Sequence, residues 1–376
     1  MNKRKVIATF IILGILILFL VLCGFIAYRY LISPMQSLLK MPNSLSTPRV
    51  LVGSDFLSKQ VFIQVPQLGS VTDIKEGKLD PHIGVEIGIA GSRGAIFLDK
   101  SGAEKASVMF SQKNAHVEII DVNADGICEF MNRGSWSCDA SLIDHDGHTI
   151  WTYGGDPGVN DMCGGDMDGD GRFEFVVGFN GNGGVHLLDQ DGKLKWKRTG
   201  GNVWDVDLAD VYNNGKLEII HPGGFGEIII GDGLGNILGS IKTASLSPRF
   251  SICRWPTQKS REYVLSSGKD FLFLSDFGKP ITRLKAPLSG DLSEARGVSA
   301  KIRGDQSEYF SVIEAFKQWN RSVLYVFDSK GVLVYQEILP ETCESIAAIT
   351  LEKTGNESIL LGGVGEIWQY KLRLQL

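Results

Sequence analysis

Residues 166–178 read DMDGDGRFEFVVG: three aspartates on alternate positions, a glycine, a glutamate, then a run rich in β-branched and aromatic residues. Such a stretch is a cation-binding loop, an acid–base cluster or a polar turn that leads into a strand. Its recurrence narrows the choice. Aligned on the glutamate, the chain gives Glu86, Glu129, Glu174, Glu218, Glu262, Glu308 and Glu357, at spacings of 43, 45, 44, 44, 46 and 49 residues. Each opens a short apolar run. A second marker keeps the same phase: Asp99, Asp144, Asp189, Asp232 and Asp328 each stand three positions before a glycine, and Asp276 stands two before Gly278. Between two short strands, Asp and Gly supply hairpin-turn geometry.

A period near 44 residues, with four short strand signals per unit and almost no helical periodicity, predicts propeller blades. The expected fold class is therefore all-β, a seven-bladed β-propeller over residues 59–376. The seventh unit ends without a turn marker or a fourth strand, while residues 59–65, KQVFIQV, form a spare apolar run ahead of the first unit. That run is expected to complete the last blade and hide two sheet edges.

Residues 6–27 contain 22 uncharged positions; at about 1.5 Å per residue a helix of that length spans the ~30 Å hydrocarbon layer. Lys3, Arg4 and Lys5 precede it and only Arg29 follows closely, which places the N-terminus in the cytoplasm. A cleaved signal peptide would have a shorter apolar core of about 7–15 residues and a small-residue cleavage site. The expected organisation is a cytoplasmic stub and transmembrane signal anchor (1–28), a Pro/Ser-rich tether (29–58) and an exported propeller. The setting expected is a single-pass protein of a bacterial inner membrane, periplasmic side. Two N-x-S triplets, at Asn320 and Asn356, fit a eukaryotic lumen as well. A net charge of −5 without a basic run argues against nucleic acid. Five cysteines lie beyond the span, an odd number, with Cys128 and Cys138 close enough in sequence to bridge neighbouring strands.

The loops at Asp166 and Asp121 carry a metal-like pattern. Asp166, Asp168, Asp170, Arg172 (through its carbonyl) and Glu174 occupy positions 1, 3, 5, 7 and 9, and Asp121, Asn123, Asp125, Ile127 and Glu129 occupy the same ones. Alternate oxygens converge when the chain curls, and hard oxygen donors in a flexible cage favour Ca²⁺ over Mg²⁺ or zinc. Position 12 is Val177 or Asn132, so neither loop is an EF-hand. A third loop is eroded: Asp210, Asn214 and Glu218 remain, with Tyr212 at position 3. The competing reading in each case is a solvated Asp/Gly turn, and glutamate at position 9 is partly architectural because all seven units carry it.

D-x-D-x-D-G-x-x-E followed by FVVGF and later LLDQDGKLKW resembles the FG-GAP/VCBS repeats, the calcium-loop blades also found in integrin α heads. The likeness extends over the propeller as architecture and is motif-specific in blades two to four. It departs from the integrin pattern in the glutamate at position 9 and the scarcity of F-G and G-A-P signatures. The D-x-x-G-x-x-x-W element ending at Trp151 and Trp196 is also similar to quinoprotein-type propeller repeats and to the acidic blades of rhamnogalacturonan lyases. The resemblance implies a propeller with structural calcium more than any single activity.

Catalysis has little support: no H-E-x-x-H and no G-x-S-x-G occurs, and a calcium cage leaves no carboxylate to shuttle protons. Binding has more. The acidic loops lie on one face of the disc, and the opposite face collects Trp136, Tyr153, Phe179, Trp204, Phe225, Phe250, Phe316 and Trp319, suited to sugar rings or a protein partner or else packed between blades. A further phased set, Asp73, His116, Asp161, Asp205, Arg249 and Glu344, with Ala295 the exception, falls on the innermost strands and forms a polar ring at the channel mouth. It either binds a ligand or is simply solvated. The expected function is a calcium-stabilised, membrane-anchored binding module for a glycan or protein ligand on the face opposite the calcium loops. An envelope-assembly scaffold is the alternative, and a polysaccharide-acting or quinone-dependent enzyme is the weaker one.

Overall fold

Each of the five described Asp-x-x-Gly turns is built the same way, which explains their phase in the sequence. The aspartate Oδ1 accepts from the backbone N–H two residues on (Ser101, Asp146, Asp191, Leu234, Lys330) and from the one four residues on (Ala103, His148, Lys193, Asn236, Val332), at 2.7–3.1 Å. The glycine adopts φ between 76° and 86° at Gly102, Gly147, Gly192, Gly235 and Gly331, the left-handed region that a side chain penalises. Asp276 and Gly278 lie outside the described residues. The computed structural model describes Val21 and residues 41–376, apart from 81–83, 135–138, 156, 225, 244–249, 257–261, 267–269, 275–279, 289–293, 304–306, 352–355 and 374–376.

The chain divides into two units, Met1–Thr47 and Pro48–Leu376. Among the described residues of the first, a 3-10 turn spans Asn43–Leu45. The expected membrane segment falls, except for Val21, outside the described residues; among those described, no helix is long and apolar enough to cross a membrane.

The second unit is a seven-bladed β-propeller made of seven antiparallel sheets. Blade one comprises Val71–Asp80, Val85–Gly91, Gly94–Leu98 and Glu104–Met109; blade two comprises Val117–Ile120, Glu129–Asn132, Ala140–Ile143 and Thr149–Tyr153. Blade three runs Val159–Gly165, Glu174–Phe179, Gly184–Leu188, Leu194–Arg198, and blade four Asp207–Ala209, Glu218–Pro222, Glu227–Gly231, Ile237–Lys242. Blade five has Phe250–Cys253, Tyr263–Ser266, Asp270–Leu274 and Pro280–Lys285. Blade six has Glu294–Ala300, Tyr309–Phe316, Arg321–Asp328 and Leu333–Ile338, and blade seven Ser345–Ile349, Ser358–Gly362 and Glu366–Leu372. The phased glutamates mark where second strands begin because their carboxylates cap local amides: Glu129, Glu174 and Glu218 each accept from the N–H of residue 122, 167 or 211 at 3.0–3.3 Å.

Ring closure uses the N-terminal segment, and more of it than the sequence suggests. The strand Leu57–Gln64 pairs antiparallel with Glu366–Leu372, from Leu57 opposite Leu372 to Gln64 opposite Glu366, and supplies the fourth strand of blade seven. Arg49–Val52, inside the stretch read as tether, is a strand too: it pairs with Leu333–Ile338 as a fifth strand on blade six. Its R-V-L-V composition suits a sheet edge, but the neighbouring prolines and serines mask that signal. Lys59 links the two blades, its Nζ lying 3.1 Å from Glu337 of blade six and 3.9 Å from the Trp368 ring centroid of blade seven.

The core lies in slabs between blades. Ile120, Met131 and Leu142 meet Met162, Phe175 and Val177 between blades two and three, and Val65 and Leu68 join the slab between blades seven and one. A rivet crosses each of several blade junctions on the outside. A residue of one blade's outer strand (Phe62, Val108, Trp151, Trp196, Leu284) sits under the turn glycine of the next blade (Gly102, Gly147, Gly192, Gly235, Gly331). The indole N–H groups of Trp151 and Trp196 donate to the carbonyls of Gln190 (3.1 Å) and Gly233 (2.8 Å) in those turns. This contact is the physical content of the D-x-x-G-x-x-x-W repeat. A Cβ at Gly192 would lie 2.7 Å from Trp151 and at φ +76°. Gly192→Ala is therefore expected to cost about 2–5 kcal/mol, combining left-handed strain and overpacking. Gly224→Ala, with open space around it, should be close to neutral. Urea midpoints check both.

Candidate functional site

The three acidic loops curl identically. At each, the aspartate at position 1 accepts from the glycine N–H at position 6: Asp121 from Gly126 (3.0 Å), Asp166 from Gly171 (2.9 Å), Asp210 from Gly215 (2.7 Å). At each, the side chain at position 5 accepts from the amide at position 7, Asp125 from Ile127, Asp170 from Arg172 and Asn214 from Lys216, at 2.7–2.9 Å. The eroded loop makes these bonds too, so the curl by itself does not tell a cation site from a polar turn. Donor convergence is what separates the loops. Carboxylate oxygens of Asp166, Asp168 and Glu174 lie within 4.8 Å of one another, the only such cluster of acidic, histidine or cysteine ligand atoms among the described residues. Asp170 is outside that set, and Glu174 Oε1 also takes Lys195 Nζ at 2.8 Å. In the second loop, Asp121 Oδ1 is buried without a hydrogen-bond partner. The third loop has Tyr212 where the others place a carboxylate or amide side chain at position 3; its Glu218 Oε2 caps the Val211 amide as Glu129 and Glu174 cap theirs.

The opposite face carries a cavity of about 290 Å³ at the channel mouth, where innermost strands begin and second strands end. Its wall includes His116, Asp161, Asp205 and Glu344 of the phased ring. Arg249 lies outside the described residues, and Asp73 stands beyond the wall, its Oδ2 accepting from Ile119 N–H at 2.9 Å on the next blade. Asp161 makes the equivalent link to Val206 N–H at 3.1 Å. So part of the ring's phase is architectural: these aspartates tie one innermost strand to the next. Asp161 also holds Arg133 through two bonds of 2.7 and 2.8 Å, and Arg133 lies 3.6 Å from Glu118.

Across the cavity, His116 Nδ1 is 3.6 Å from Glu344 and its Nε2 is 3.5 Å from Arg296; Lys317 bridges Glu294 (3.0 Å) and Glu344 (3.3 Å). Although burial works against it, contact with His116 and Lys317 holds the Glu344 carboxyl at about 2. Burial pushes His116 down from its usual range. For Asp161, the Arg133 guanidinium overcomes burial and keeps the carboxyl low. Burial, then the neighbouring Asp161 charge, lifts Asp205 well above the carboxylate range. Burial lifts Asp207 to about 6, and Asp73 to about 6 with Glu118 adding to the effect.

Arg133, Asp207, Arg296 and Lys317 escaped the sequence reading. A signal existed for two of them, since Arg133 and Lys317 each follow directly on the last residue of a second strand, Asn132 and Phe316. Among the aromatics, Trp204 is 40 % exposed and lines the cavity. Phe179, Phe250 and Phe316 are buried, and Trp319 stacks on Phe316 at 5.5 Å, which makes these packing residues. Trp136 and Phe225 lie outside the described residues. Cys128 is buried and free, as are Cys163, Cys253 and Cys343; Cys138 is outside the described residues.

No protein-family model matches the chain, and no curated protein does. Solved structures match in fold. "Crystal structure of BBS1N in complex with ARL6DN, soaked with mercury" superposes with TM-score 0.57 at 11 % identity over 87 % of this chain and 97 % of that one. The Pan2 WD40 domain of Neurospora crassa superposes with TM-score 0.51 at 10 % identity over 87 % and 99 %. At such identities the likeness speaks for the propeller architecture alone.

Proposed function

We propose that this chain is a binding module whose ligand, a protein or glycan, docks at the channel mouth on the face opposite the acidic loops. One observation carries the reading: a preformed polar cavity with an exposed tryptophan at its wall, on a face where Phe179, Phe250 and Phe316 are buried. That BBS1N was solved in a complex with ARL6DN is in keeping with a propeller that serves as a docking platform. Calcium belongs to this proposal as a stabiliser at the Asp166 loop first and the Asp121 loop second, with the uncharged stretch at residues 6–27 as the membrane anchor.

The test is capture from solubilised membranes with the full chain, alongside a glycan array. Trp204→Ala combined with Asp205→Asn should abolish capture and leave melting unchanged, since the amide matches the carboxyl in shape, Asp205 makes no ion-pair contact among the described residues and Trp204 is exposed. Undiminished capture would refute the docking face. Asp161→Asn behaves differently: it strands the Arg133 guanidinium and should lower the melting temperature.

For calcium, the expected effect is on stability. The loops offer four, three and two ligand carboxylates at Asp166, Asp121 and Asp210, and affinity should fall in that order. With ~1 mM calcium over a site of ~0.1 mM Kd, occupancy adds about 1.4 kcal/mol. Asp168→Ala should remove most of the calcium-dependent rise in melting temperature and Asp210→Ala little of it. Identical melting of the wild-type chain in EGTA and in millimolar calcium would reduce the loops to polar turns.

A further inference from the structure

The cavity wall is unevenly charged. On one side, Lys317 is engaged by Glu294 and Glu344, and Arg296 meets His116. On the other, the Arg133 guanidinium is paired with Asp161 and Glu118 and reaches the Val206 carbonyl, so one cation faces Asp161, Glu118, Asp205 and Asp207, and the last two make no ion-pair contact among the described residues. These two carboxyl groups come from one short stretch, 205–207, with Trp204 beside them. The indole of Trp204 makes no ring contact among the described residues and stands in solvent at 40 % exposure. The arrangement is therefore an open cavity of about 290 Å³ lined by more carboxyl groups than the nearby Arg133 can neutralise, with a partly exposed indole beside Asp205 and Asp207.

Those three features ask for the same complement. A carboxylate pair in a confined space attracts positive charge, and the face of an indole attracts it too through the ring quadrupole. A cavity of this size admits the end of one unbranched side chain and excludes a globular surface or a sugar chain. We propose that the Asp205–Asp207 wall and Trp204 receive a single alkyl-ammonium or guanidinium group. The group enters along the channel axis, pairs with the Asp205 and Asp207 carboxyl groups, and lays its apolar stem against the indole. The shared chemistry has two sources, a lysine or arginine side chain of a protein partner or a free polyamine or guanidine. This inference rests on the docking face proposed above and names what that face recognises.

Titration calorimetry on the full chain in detergent, using agmatine, spermidine and the peptide acetyl-Gly-Ser-Arg-Ser-Gly-amide, tests it. At least one of the three should bind with a Kd below ~1 mM, and Asp205→Asn with Asp207→Asn should weaken it by at least about tenfold. Trp204→Ala, an exposed change that leaves folding intact, should weaken the same ligand by about fivefold, the size of a cation–π contact of ~1 kcal/mol. A peptide that binds tenfold better than agmatine assigns the group to a protein partner; the reverse order assigns it to a free small cation, and either result supports the shared chemistry. Absence of binding by all three at ~10 mM overturns the proposal. So does binding that is indifferent to Trp204→Ala, or saturable binding of tricarballylate at this wall in place of the cations. Capture that depends on Trp204 while no cation binds would defeat this inference and leave the docking face standing. Capture that ignores Trp204 and Asp205 would defeat the docking face itself.

Discussion

A chain beginning at Gly69 is expected to aggregate, or to melt at least about 10 °C below one beginning at Pro48. The shorter chain lacks both N-terminal strands, so the edges of Leu333–Ile338 in blade six and Glu366–Leu372 in blade seven lose their partners. Open edges of this kind pair with other chains. It also loses Leu57, Val65 and Leu68, all buried; at about 1.5–3 kcal/mol each, their burial contributes roughly 5–9 kcal/mol. Ordering the segment offsets part of this, but the sum is comparable to the whole ~5–15 kcal/mol stability of a domain. Differential scanning calorimetry and light scattering on the two chains decide it. Equal melting would show that the ring closes without the N-terminal segment.

The second large effect is expected at Glu337. This buried carboxylate accepts from the hydroxyls of Tyr335 and Tyr370, both at 2.9 Å, and from Lys59 Nζ at 3.1 Å. Tyr335 and Tyr370 are fully enclosed between blades six and seven. Glu337→Ala leaves both hydroxyls without an acceptor, at about 1–3 kcal/mol apiece, and so should cost roughly 2–6 kcal/mol. Glu337→Gln keeps one acceptor oxygen and should cost less than half as much. Urea unfolding measures both, and a Glu337→Ala midpoint equal to that of wild type would remove this network from the account of closure.

The propeller was legible because its signals are local. The Asp-x-x-Gly turn forms within five consecutive residues, and each phased glutamate of blades two to four caps an amide seven residues before it. Residues 59–65 were readable as the closing strand because their apolar pattern has no other use in the repeat. Arg49–Val52 was not, since its only reason to be a strand is the edge of a blade almost 300 residues later. The site was half legible for the same reason. The positions of Asp161, Asp205, His116 and Glu344 follow from the repeat, but their electrical state does not. Arg133 and Lys317 reach them from second strands, and Arg296 stands one residue after the Ala295 gap in the ring. The loops show the converse: sequence spacing made three sites look like one series, while donor convergence at Asp166, Asp168 and Glu174 and the orphan oxygen of Asp121 set two apart from the third.

The docking face is the central claim, and hydrogen exchange on the full chain with and without its captured ligand tests it most directly. The account predicts slowed exchange at residues 115–116, 133–134, 204–207 and 294–296, with the acidic loops at 121–129 and 166–174 unchanged. Protection confined to those acidic loops, with the channel mouth exchanging as before, would contradict it.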